Sequence, residues 1–237
     1  MLGAFTLAEV LVTLGVIGVV AALTLPSVIT NYQKKQTVVQ LKKLYSTLSN
    51  ASGLSQSENG EMREWDNSLI NTDIKKYAET YYLPYFNRAK VVDWPSNDYT
   101  IKNLSGNQNL YSSGREKYVI ELSNGQLLIF SQTQMGQHYL WIFGDINGTK
   151  GPNKIGRDIF VFDGTNFTKD SNTRYFVKFW GDSFSRSTLT SPDFEEDIPN
   201  NSGYSCNKKN KYGRYSGYYC GELIMQDNWE IRNDYPW

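Results

Sequence analysis

The chain has 237 residues, with 24 acidic and 24 basic side chains, two cysteines, a single histidine and many aromatics, 17 Tyr, 11 Phe and 6 Trp. That length suits one globular domain, or one domain plus a long helix. The charge balance excludes a nucleic-acid binder that works by broad electrostatics, and the lone His138 excludes a multi-histidine metal site within one chain.

The first element is GAFTLAEVLVTLGVIGVVAALTLP, residues 3–26. Between Phe5 and Leu25 it carries one charge, Glu9. A helix of that length covers about 30 Å, the thickness of a bilayer core. Three readings compete. A soluble core helix would show a polar face, which is missing. A cleaved secretory signal would have a basic front and a shorter apolar run, whereas the front here is Met-Leu-Gly-Ala. A retained membrane helix needs neither, but it leaves a carboxylate among lipid tails that must find a partner or a purpose.

These residues resemble the start of type IV pilins and type II secretion pseudopilins. The shared pattern is a small residue, then Phe-Thr-Leu, then Glu at the fifth mature position, then about twenty apolar residues with a proline near the end. The likeness covers the first fifty or so residues. It implies a prepilin peptidase cutting between Ala4 and Phe5, N-methylation of Phe5, a register-setting role for Glu9 during assembly, and a kink or local melting at Pro26. It departs from the family at two points: Ala4 stands where a glycine is usual, and the leader, residues 1–4, is not basic. After such a cut the Phe5 α-amine and Glu9 would lie four residues apart on one side of a helix. A neighbouring subunit's amine would serve Glu9 equally. The partners implied are other pilin or pseudopilin subunits, the peptidase, an inner-membrane assembly platform and membrane lipid. The location implied is a single pass through a bacterial inner membrane with the C-terminal domain outside the cytoplasm. Lys34, Lys35, Lys42 and Lys43 follow the apolar run and, by the positive-inside rule alone, would place that domain in the cytoplasm.

Past Pro26 the chain turns amphipathic. Leu41, Leu44, Tyr45, Leu48 and Ala51 recur at steps of three and four, which predicts a helix with one apolar stripe. Gly53 and the polar run after it predict its end, so residues 5–55 form the helix and 56–237 the body. Gly15 and Gly18 allow close helix approach in the apolar half.

In the body, a short helix is predicted over Ile70–Tyr81, ending at Pro84. Strands follow: KYVIEL and QLLIF joined by Ser123-Asn124-Gly125, a strong hairpin signal, then HYLWIFGD, DIFVFD and RYFVKFW. A long helix followed by a run of antiparallel strands makes an α+β fold, the layout the pilin resemblance also implies: the helix stripe laid on a small antiparallel sheet.

Three loops carry candidate chemistry. In residues 145–160, Asp145, Asn147 and Thr149 alternate like the first ligands of a calcium loop, with Asn153 and Asp158 able to complete it and Gly148, Gly151 and Gly156 turning the backbone. It is not an EF-hand, and a plain glycine-rich connection with Asx turns is the simpler reading and the one favoured. Cys206 and Cys220 enclose a short polar loop. Outside the cytoplasm they would form a disulfide, and inside it two free thiols. Lys208, Lys209, Lys211 and Arg214 interleave with Tyr212, Tyr215, Tyr218 and Tyr219, a pattern that suits nucleic acid or glycan, or a solvated loop. Glu195, Glu196 and Asp197 are adjacent acids in a loop-like stretch rather than a glycosidase pair. The tail after Cys220 reads as a strand, a turn at Asp227-Asn228 and a second short strand. No nucleotide-binding loop, nucleophile elbow or zinc-protease motif is present in the sequence, so an enzyme is not expected. Structural filament subunit is the leading expectation. A membrane-tethered binder of glycan or DNA is the alternative.

Overall fold

The computed structural model describes residues 6–96, 98–106, 109–111, 117–132, 140–164, 177–191, 203–209 and 215–237. Its first element, α1, is one helix from Leu7 to Asn59. Thr6 caps it. The Thr6 Oγ1 accepts from the Glu9 N–H at 3.3 Å, and Glu9 Oε2 accepts from the Thr6 N–H at 2.8 Å. This reciprocal pair is a capping box and satisfies orphan donors of the first turn.

Two expectations about α1 are corrected. The helix runs on through Pro26, so it does not melt there. Around the proline, the hydroxyls of Thr24, Ser27 and Thr30 donate to the main-chain carbonyls of Val20, Thr24 and Pro26. Nor does Gly53 end it. Ser52 and Ser55 are buried against the body, and this packing carries the helix through the polar run to Asn59. Gly60 stops it with φ +80°, a conformation only glycine adopts without strain.

The short helix of the body is two pieces, α2 (Leu69–Thr72) and α3 (Ile74–Tyr81), because the Asp73 side chain accepts from the Lys76 N–H and caps the second. The strands are β1 (Lys90–Val92), β2 (Ile101–Lys102), β3 (Asn109–Tyr111), β4 (Lys117–Glu121), β5 (Leu127–Gln132), β6 (Leu140–Asp145), β7 (Ile159–Asp163) and β8 (Lys178–Phe179). β2 and β3 form a separate pair. The others form an antiparallel sheet in the order β1-β4-β5-β6-β7-β8. The predicted hairpin is present: Glu121 faces Leu127, and Gly125 takes φ +81° in the turn. Among the described residues the body also holds two further helices, α4 (Arg186–Thr190) and α5 (Cys220–Gln226).

The α+β layout is therefore as expected. Leu41, Leu44, Leu48 and Ala51 of α1 are buried. Each fully buried leucine contributes about 1.5–3 kcal/mol of apolar transfer free energy. Leu44 lies over Gly144 of β6, where a Cβ would collide with Leu44 and Phe162. The missing side chain sets how closely helix and sheet approach. Alternate residues of β6 face the other way, as strand geometry requires: Trp141 and Phe143 meet an aromatic layer that includes Tyr218, with Trp180 and Tyr215 also on Trp141.

The tail differs from the two-strand expectation. Residues 220–226 are helical because Cys220, Leu223 and Ile224 fall at i, i+3 and i+4 and are all buried, a helical rather than an alternating pattern. The chain turns after Gln226 as predicted, but no second strand follows among the described residues. Asp227 is buried and takes a bidentate pair from Arg186, at 2.8 and 3.0 Å, which pins the turn to α4.

Candidate functional site

The first candidate region is the N-terminal half of α1. From Leu7 to Ile29 its large apolar side chains are all exposed, Leu7 by 77% and Val10, the least so, by 42%. This helix is long and apolar enough to cross a membrane, and that stretch is not buried within the chain. A band of this size left in water would be strongly unfavourable. Ala4 and Phe5 lie outside the described residues. Glu9 is described, and its carboxylate is held by Thr6 through both the main-chain N–H and the hydroxyl, each at 2.8 Å. The Thr-Leu-Ala-Glu spacing of a capping box is in the sequence and marks this partner, yet the resemblance draws attention to the α-amine instead.

The second candidate is the loop between β6 and β7. It is built on two buried acids. Asp145 ends β6, where its Oδ2 accepts from the Tyr99 hydroxyl at 2.6 Å and its Oδ1 from the Asn147 N–H at 3.1 Å. Asp158 precedes β7. Its Oδ1 accepts from the Lys154 N–H at 2.7 Å, and its Oδ2 from the Asn153 N–H at 2.8 Å and the Asn147 amide at 3.3 Å. Burial pushes the Asp145 carboxyl up to about 8, with the nearby Asp158 charge adding to the rise and hydrogen bonds opposing it. Burial raises Asp158 as well.

Asp145, Asn147, Asn153 and Asp158 are thus brought together, as the calcium reading requires, but their oxygens do not form a cage. The carboxylates are occupied by N–H and O–H donors, Thr149 points to solvent, and among the described residues no three acidic, histidine or cysteine side chains converge on one point. A calcium ion takes six to eight oxygen ligands, water among them. In this structure no such cage is formed among the described residues. The Asn147 and Asn153 side-chain carbonyls are buried without a hydrogen-bond partner, and amide oxygens of this kind are ones that calcium accepts.

What the loop does instead is hold α1. The Gln126 amide beside it donates to the Gln40 carbonyl of α1 at 3.1 Å and to the Ile146 carbonyl at 3.3 Å. Thr37 of α1 reaches the Arg157 carbonyl at 3.5 Å. Gly148 sits with φ +72° directly under the Gly125 turn, where a Cβ would strike the Gly125 carbonyl. A cleft of about 330 Å³ remains between this loop and α1, with Arg157 stacked on Trp237 at its rim.

The third candidate is the cysteine loop. Cys206 and Cys220 are joined, with Cα atoms 4.8 Å apart. Residues 210–214, which hold Lys211, Tyr212 and Arg214, lie outside the described residues, as do His138 and the 195–197 acids. Tyr218 and Tyr219 are buried, and Tyr218 lies edge-on to Trp141 and Phe143. They belong to the core and offer no surface on which a base or sugar could stack. Replacing both cysteines by serine is expected to lower stability by about 3 kcal/mol in the chain-entropy account, read from urea unfolding with and without reductant. Reductant should then affect only the parent chain.

Residues 27–237 match the model of a family described as a family of unknown function, DUF6613. The chain belongs to that family. No curated protein and no solved structure matches the chain. The DUF6613 match starts immediately after Pro26. It takes in the packing half of α1, the sheet, the Asp145–Asp158 loop and the disulfide, while the apolar run ahead of Pro26 lies outside it.

Proposed function

We propose that this chain is a structural subunit, a pseudopilin or minor pilin, of a type II secretion or type IV pilus-like filament that assembles through its N-terminal helix. The carrying observation is the bare apolar half of α1, continuous with a half that is locked into the body. Such a helix has two ways to escape water: lipid, or the same face of sister helices. Moving from the first to the second is filament assembly. The disulfide supports a body outside the cytoplasm. The burial of Tyr218 and Tyr219 weakens the alternative of a tethered glycan or nucleic-acid binder.

In this reading a prepilin peptidase cuts between Ala4 and Phe5, and Glu9 exchanges its Thr6 bonds for the α-amine of a subunit already in place. A carboxylate leaving water needs a charged or donor partner at every stage. The capping box supplies one before assembly and the amine one after.

The test is the mass of the N-terminal peptide from protein purified from its own cells. Cleavage and methylation at Phe5 are expected, and an intact Met1 would sink the proposal. Glu9→Ala is expected to leave the chain in the membrane and folded while reducing its recovery in sheared filaments at least tenfold. Unchanged recovery would refute the role of Glu9.

A further inference from the structure

Between Glu9 and Glu58, α1 carries four lysines, Lys34, Lys35, Lys42 and Lys43, and no acid. Among the described residues none of the four is in an ion pair. Lys42 lies over the Trp229 ring, 5.6 Å from its centroid. Trp229 is in turn fixed edge-on by Tyr45 and Phe179, and its segment is anchored through Arg186 and Asp227. The result is an open groove of about 560 Å³ between α1 and the tail. Lys34, Lys35, Val38, Val39, Trp229 and Ile231 line it, and among the described residues Glu230 is the one acid on its wall.

The position of this groove follows from helix geometry. The exposed apolar band ends at Ile29. At about 1.5 Å per residue, Lys34 and Lys35 stand about 8–9 Å further along the axis. Helical side chains lean toward the N-terminus, so both ammonium groups reach back toward the band. The headgroup layer of a bilayer extends about 5–7 Å beyond its hydrocarbon. A helix crossing the bilayer through Ile29 therefore brings two unpaired cations to phosphate level. Trp229, which lies beside Lys42 and Tyr45, stands further along the axis and closes the far end of the groove.

We propose that this groove seats the headgroup of an anionic phospholipid, with its phosphate between Lys34 and Lys35 and its polar head against Trp229 and Ile231. The inference rests on the membrane-spanning reading of α1. It accounts for a run of cations that pair with no acid among the described residues: the counter-charge of Lys34 and Lys35 lies in the membrane.

The experiment uses the full chain in phosphatidylcholine vesicles that contain spin-labelled phosphatidylglycerol or spin-labelled phosphatidylcholine. The readout is the fraction of each label that the protein immobilises. A preference for phosphatidylglycerol of at least about fivefold is expected, the usual effect of one lysine at an anionic surface, with the second adding to it. Lys34→Gln with Lys35→Gln should bring the preference close to one. Lys75→Gln with Lys76→Gln, at exposed lysines of α3, should leave it unchanged. A chain that floats with the vesicles but shows no preference, or keeps it without Lys34 and Lys35, overturns the seat alone. A chain that fails to float overturns the membrane span and the seat together.

Discussion

Gly144→Ala is expected to destabilise the chain by about 1–3 kcal/mol, although alanine is the smallest side chain that can be added. The new Cβ would enter space already held by Leu44 of α1 and the ring of Phe162. Leu44 is fully buried, so its own truncation, Leu44→Ala, is expected to cost about 2–5 kcal/mol through lost burial and the cavity left behind. The two changes oppose each other in volume. The double variant should therefore be more stable than the sum of the single effects by at least 1 kcal/mol, a coupling that only contacting residues show. Urea unfolding of the four proteins in detergent measures it. Strict additivity would mean that α1 does not rest on β6 at this point.

Stability is expected to fall as pH rises from 5 to 8, and Asp145→Asn should remove much of that slope. The folded state holds the Asp145 carboxyl near 8, well above the ordinary carboxylate range. The native chain thus binds a proton that the unfolded chain has released over this interval. Its contribution is complete below about pH 4 and is lost progressively as pH climbs to about 8. Asp158, also raised by burial, acts in the same direction. An asparagine at 145 keeps one acceptor for the Asn147 N–H and turns a donor to the Tyr99 hydroxyl, and it titrates nowhere. The variant should match the parent near pH 5 and exceed it at pH 8 by on the order of a few kcal/mol. Unfolding midpoints at pH 5, 6.5 and 8 decide the matter. Parallel profiles would show that the buried acid is ionised throughout.

What the sequence makes legible is what repeats locally. The steps from Leu41 to Ala51 identify the packing stripe of α1, and Asn124-Gly125 identifies the hairpin. The same kind of reading fails where partners come from far along the chain. Asp145 and Asp158 stand out as unusual acids in a glycine-rich loop, and the structure does bring them together. Their actual partners, however, are the Tyr99 hydroxyl, 46 residues away, and main-chain N–H groups of Asn153 and Lys154. Donors of that kind have no signature in the spacing of carboxylates, so a ligand set and a hydrogen-bonded plug look alike in sequence. Gly144 is equally mute, since nothing near it in the chain announces Leu44. The short strands β1, β2 and β3 hold two or three residues each, too few for an alternation to register. The tail was legible in principle: Cys220, Leu223 and Ile224 have helical spacing, but seven residues rich in large apolar side chains read as easily as a strand.

The unbroken course of α1 has a mechanical consequence. The body grips the helix only from Thr37 onward. The residues ahead of it form a cantilever about 45 Å long at the usual helical rise. Rotating the gripped end by only 10° would swing the free tip sideways by about 8 Å, nearly the diameter of a neighbouring helix. A missing methyl at Gly144 thus aims the far end of the lever.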